Sequence, residues 1–97
     1  MSSIIRSING MSKPTLPALS VSKAALNIVT KMMANRLSKK NFIVFAAHPG
    51  WVKTDFGGKN APIEPADSIA GMINVFDYLV SKDNDTFNDF QRNKLKW

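Results

Sequence analysis

The run Phe42-Ile43-Val44-Phe45-Ala46-Ala47 has no polar alternation, so a strand built from it needs an apolar environment on both faces. Strands of that kind belong to parallel sheets covered by helices on both sides. Before the run lies a long helical pattern. After it comes His48-Pro49-Gly50, where the proline stiffens the exit and the glycine lets the backbone come close to a ligand. A helix feeding such a strand is part of a doubly wound α/β unit, in which ligands sit beyond the carboxyl ends of the strands. Pattern and breakers predict a helix over about 20–39, a strand over about 42–47 and a loop over about 48–63.

From Val21 to Leu37 the apolar positions form two sets, one at 21, 25, 28, 29 and 32 and the other at 26, 33 and 37. A helix with two apolar faces needs two partners. One face is expected on the sheet, and the face of Leu26, Met33 and Leu37 against another helix or a second copy of the chain. Ser20 is the expected N-cap, with Ser22 as its competitor. Further on, Pro65 opens a second helix, predicted over about 65–82. Its sheet-facing stripe is Ile69, Met72, Ile73, Phe76, Leu79 and Val80, with Asp67, Ser68 and Asp77 toward water. Thr86-Phe87-Asn88-Asp89-Phe90 alternates as a short strand over about 86–90. At the other end, Ser2-Ser3-Ile4-Ile5 reads as the end of a strand that passes into a long loop through Asn9-Gly10, Lys13-Pro14 and Leu16-Pro17.

A chain of 97 residues forms one small domain with a thin core. Thirteen Lys/Arg against seven Asp/Glu make it basic, which suits an anionic ligand, nucleic acid or an acidic surface. The local cluster Lys31, Arg36, Lys39 and Lys40 reads first as a solvated helix end, where the dipole favours cations. With no aromatic platform or recognition-helix pattern, nucleic-acid binding is the minor alternative. Cysteine is absent and a single histidine cannot hold a metal, so no disulfide framework or metal site is expected. No apolar run is long enough to span a membrane, and Met1-Ser2-Ser3-Ile4-Ile5-Arg6 lacks the apolar core of a signal peptide, so the expectation is a soluble, cytoplasmic protein.

Two motifs narrow the reading. Ser22-Lys23-Ala24-Ala25-Leu26 opens the first helix, and Pro49-Gly50-Trp51-Val52-Lys53-Thr54-Asp55 follows the strand. Together, over Met1 to Trp97, they resemble the C-terminal half of a short-chain dehydrogenase/reductase, in particular its small carbonyl-reductase-like members. The resemblance implies a Rossmann-like α/β fold of which this chain is the C-terminal part, lacking the N-terminal glycine-rich βαβ unit. It implies NADP or NAD as cofactor, with Lys23, Pro49, Gly50, Val52 and Thr54 as the cofactor-binding set. Lys23 matches the lysine that holds the ribose hydroxyls and lowers the pKa of a catalytic tyrosine. Ser3 matches the serine that orients the substrate carbonyl, although a frayed polar N-terminus explains it equally well. Gly57-Gly58-Lys59-Asn60 falls where the family carries its substrate lid; the spacing of a phosphate-binding P-loop is absent. The family associates largely through its counterpart of the first helix, so a homo-oligomer or a pairing with a full-length relative is implied.

The sequence also departs from the family. The catalytic helix of the family begins Tyr-x-x-x-Lys, and the position four before Lys23 is Leu19. Arg6 and Arg92 stand where family glycines are expected. Leu19 has no proton to give, and loss of a positioned acid/base typically lowers rates ~100- to 10,000-fold. No glycine-rich dinucleotide turn occurs in the chain, and such a turn is what takes the pyrophosphate. Three readings follow. The first is a truncated reductase with little or no catalysis, the second an interaction protein that uses the first helix and an exposed sheet edge. The third is a small basic nucleic-acid-binding domain.

Overall fold

The computed structural model describes residue 1 and residues 17–97. Its elements are α1 (Pro17–Leu37), β1 (Ala46–His48), α2 (Pro65–Asp77) and β2 (Phe87–Asp89), with short 3-10 turns at Ser38–Lys40 and Ser81–Asp83. β1 and β2 are parallel, in the register Ala46↔Phe87, Ala47↔Asn88 and His48↔Asp89. The parallel α/β architecture is therefore the expected one, although the sheet among the described residues has only two strands. Ser3 and Arg6 lie outside the described residues.

Alternation along the strands sorts the two faces. Phe45 meets Phe76 of α2 edge-on, with ring centroids 5.8 Å apart. On the opposite face Phe87, 1% exposed, stacks on Trp97, and the Lys31 ammonium of α1 lies 4.9 Å above the Trp97 ring. Lys31 also pairs with Asp85 at 2.8 Å. One turn later Ala34 offers its carbonyl to Asn84 Nδ2 at 3.1 Å, while Asn84 Oδ1 accepts the Val44 amide at 2.9 Å. Contacts thus move toward the start of the strands as α1 proceeds. The helix runs opposite to the strands, as a crossover helix must.

The buried stripe of α1 is not the expected one. Ser20, Asn27 and Ala34 are buried, whereas Val21, Ile28, Val29 and Met32 on one expected face and Leu26 and Met33 on the other are exposed, Ile28 at 61%. Small side chains at a spacing of seven let the helix approach closely, and the wider apolar groups face outward. Ser20 is inside the helix and not its N-cap, because the helix already starts at Pro17, a residue suited to a first turn. Ser22 does not cap either; its hydroxyl donates to the Leu19 carbonyl at 2.8 Å.

A similar rotation affects α2. Its buried line is Ser68, Met72 and Val75, with Ile69, Ile73 and Phe76 largely outside, so Ser68 faces the interior and not water. The helix stops at Asp77, and the Ser81–Asp83 turn, with Asp83 Oδ2 accepting the Val80 amide at 2.9 Å, carries the chain to β2. β1 is shorter than the apolar run: Phe42 is exposed, and Ile43, Val44 and Phe45 are half-buried. Gly71 in mid-helix, normally unfavourable by ~1 kcal/mol, is demanded here because a Cβ would run into the Phe90 carbonyl.

Arg92 adopts φ 70°, a left-handed conformation that glycine takes without penalty. That geometry accounts for the glycine expected at this turn. Arg92 offsets part of its strain by donating from Nη2 to the Tyr78 carbonyl at 3.1 Å and lying 5.6 Å from the centre of the Tyr78 ring. Urea denaturation should therefore rank Arg92→Gly above Arg92→Ala by about 1 kcal/mol, since both lose the guanidinium and only the first relieves the backbone; equal midpoints would contradict the strain argument. Asn84→Ala removes two hydrogen bonds at once and should lower stability by about 1–3 kcal/mol. Asn84→Asp, which keeps the acceptor for Val44 and loses the donor to Ala34, should fall between, and an aspartate variant as stable as the parent would dismiss the Ala34 bond.

Candidate functional site

The site expected at the carboxyl end of the strands is built around the turn that leaves β1. Pro49 gives its carbonyl to Ser68 Oγ at 2.6 Å, so the first turn of α2 holds the exit of the strand. Gly50 follows with φ 86°. A Cβ there would overlap Ile63 Cδ1 and come within 3.0 Å of the Phe90 ring. The close approach that requires this glycine is thus made by the protein's own side chains. Phe90 is caught between two residues without side chains, Gly50 of the turn and Gly71 of α2.

The segment after Gly50 is a closed loop with its own internal structure. Val52 and Ile63 form a parallel bridge, flanked by Lys53 N donating to Ile63 O at 2.8 Å and Ile63 N to Trp51 O at 3.3 Å. Lys53 pairs with Glu64 at the loop base, an exposed contact worth ~0–1 kcal/mol. Within the loop, Trp51 Nε1 donates to Gly57 O at 2.8 Å. The Thr54 hydroxyl accepts the Gly57 amide at 3.0 Å and the Thr54 carbonyl accepts the Gly58 amide at 2.8 Å. Thr54 therefore organises the turn that presents Phe56, which is 78% exposed. All of these bonds lie within a loop whose stem is fixed by the Val52–Ile63 bridge.

Lys23 sits early on α1, and the direction of that helix carries it toward the strand ends from which Pro49 and Gly50 emerge. Its ammonium donates to the Met1 carbonyl at 3.3 Å, and among the described residues no hydrogen bond joins it to the segment 49–54. Leu19 occupies the preceding turn, half-buried. Tyr78 is no substitute for a tyrosine there. It caps the far end of α2, ten residues and ~15 Å of helical rise from Ser68. Among the described residues no group of three His, Cys, Asp or Glu side chains is arranged to hold a metal, and no helix is long and apolar enough to cross a membrane.

Sequence reasoning missed Ser68 as the residue that fixes the Pro49 carbonyl. The signal was available, because Ser68, Met72 and Val75 fall at the i, i+4, i+7 spacing of one helix face. The louder stripe of larger residues one position on concealed it.

No family model matches the chain. C-signal of Myxococcus xanthus is 39% identical over 80 residues, covering 82% of this chain and 48% of that protein. Among solved structures, the carbonyl reductase Sniffer of D. melanogaster superposes on all of this chain with a TM-score of 0.97 at 36% identity, over 39% of its own length. An NADPH-bound carbonyl reductase from chicken fatty liver superposes with a TM-score of 0.91 at 30% identity, over 99% of this chain and 40% of its own. The chain spans somewhat under half of each relative. In sequence and in fold it is related to the carbonyl reductases of the short-chain dehydrogenase/reductase type and corresponds to a part of their length.

Proposed function

We propose that this chain is the nicotinamide- and substrate-side portion of a short-chain dehydrogenase/reductase-like protein, and that by itself it catalyses little or no carbonyl reduction. The observation that supports this most directly is the superposition on Sniffer over the whole chain. In this reading Lys23, Pro49, Gly50, Val52 and Thr54 form the cofactor side, Ser3 is the carbonyl-orienting serine, and the loop carrying Phe56 borders the substrate. NADP is the preferred cofactor, since related reductases are bound to it. The chemistry supplied by the cofactor is a hydride. The chain's share is to hold the nicotinamide end against the Pro49-Gly50 turn and to keep a cation, Lys23, near the ribose.

Two features argue for low activity. Leu19 offers no proton where a phenol would ordinarily act, and the chain has no glycine-rich turn for the pyrophosphate. The remaining contacts, each worth ~0.5–1.5 kcal/mol, do not hold a dinucleotide tightly. Incubated with NADPH and an aromatic aldehyde, the chain should consume no cofactor above the blank. Joined to the N-terminal half of a related carbonyl reductase, it should gain at least ~100-fold in turnover on L19Y. Turnover by the chain alone, or a fusion equally active with Leu19, would refute this assignment of roles.

The outward apolar groups of α1 support a second element of the reading, association through this helix with another copy or with a full-length relative in the cytoplasm. Analytical ultracentrifugation should show a species larger than the monomer. The double substitution Ile28→Lys and Met32→Lys should shift it to the monomer without loss of helical circular dichroism. A parent chain that is already a monodisperse monomer, alone and with the relative, would exclude association.

A further inference from the structure

One concave site is lined by none of the residues of the turn that leaves β1. It is a cleft of about 250 Å³ between the C-terminal half of α2, the Ser81–Asp83 turn, β2 and the segment after it. Val75 and Leu79 give it an apolar wall. Lys82 from the turn, with Arg92 and Lys94 from the segment after β2, brings three cations to it, against a single carboxylate, Asp83. That carboxylate already accepts the Val80 amide. Neither Lys82 nor Lys94 is paired with a carboxylate among the described residues. Asn88, only 5% exposed, lies at the floor, its amide donating to Thr86 Oγ1 at 2.8 Å, and Thr86 in turn donates to the Asp83 carbonyl at 2.6 Å. This chain of bonds fixes the floor before any ligand arrives.

Arg92 is the most constrained of the lining groups. Its backbone is held at φ 70°, and its guanidinium is oriented by the Tyr78 carbonyl and ring, which leaves its remaining N–H donors for a ligand. A planar fork of this kind suits paired oxygens of one anionic group. Three cations against one committed carboxylate match a dianion better than a monoanion, and a phosphate monoester carries about −1.5 to −2 charges at pH 7. The volume, below the ~300–1,000 Å³ usual for drug-sized ligands, suits a small molecule.

We propose that this cleft binds a small phosphate monoester, its phosphate among Lys82, Arg92 and Lys94 and its carbon portion against Val75 and Leu79. None of these residues belongs to the cofactor reading, so the proposal stands independently of it. Phenyl phosphate is the probe, titrated into the whole chain by amide NMR. Saturable shifts are expected at Lys82, Asn88, Arg92 and Lys94, with benzoate at least tenfold weaker. The double variant Lys82→Gln and Lys94→Gln replaces two exposed side chains and should weaken phenyl phosphate at least tenfold while the Trp97 indole signal stays in place. Arg92→Lys, which keeps the charge and loses the fork, should weaken it by a smaller factor. Benzoate binding as well as phenyl phosphate overturns the proposal. So do shifts centred on Pro49–Thr54, non-saturating shifts shared by Lys39 and Lys40, or undiminished binding by the double variant.

Discussion

The described fold depends on one amide side chain. Asn84 joins three segments at a single point, donating to the last turns of α1 and accepting from the residue that leads into β1, while its own chain continues directly into β2. Backbone bonds extend the same seam, from Asp85 N to Val44 O at 2.9 Å and from Ala46 N to Thr86 O at 2.9 Å. Without this junction a three-residue ladder would have to align two strands separated by most of an intervening helix and loop. Closing such a span carries an entropic penalty that so short a ladder offsets poorly. The Lys31–Asp85 pair and the Trp97 ring beneath Lys31 lie beside it and fix the rotation of α1.

Element type and order could be read from the residues. The unalternated run before Pro49-Gly50 signalled a parallel strand, Pro65 marked the start of α2, and the motifs around Lys23 and Pro49 signalled the family. Which helical faces are buried could not be read this way. Hydrophobicity measures what a side chain would gain by burial, whereas the neighbouring surface decides which face is actually covered. On α1 the narrow strip Ser20, Asn27 and Ala34 is the one covered within this chain, and on α2 a serine earns its place by bonding a carbonyl. Strand length was also overestimated, because an apolar run marks residues suited to a ladder while pairing requires a partner alongside each of them.

Around the Pro49-Gly50 turn, local chemistry gives several of the motif residues structural duties. Gly50 makes room for Ile63 and Phe90, and the Thr54 hydroxyl shapes its own loop. A motif residue can satisfy folding and ligand recognition together only if its groups remain able to change partners. The Thr54 hydroxyl, with a lone pair and a rotatable proton, retains that capacity.

The position of Phe90 has a mechanical consequence. Its ring occupies a slot whose two sides are backbone, one from the turn after β1 and one from α2. Side chains yield by changing rotamer, but a peptide unit can move only as part of its segment. Turn, ring and helix are therefore in direct contact, and a shift of the Gly50 turn toward Phe90 meets the backbone of α2 behind the ring. The end of β1 is thus braced by α2, through Phe90 and Ser68, as well as by the proline beside it.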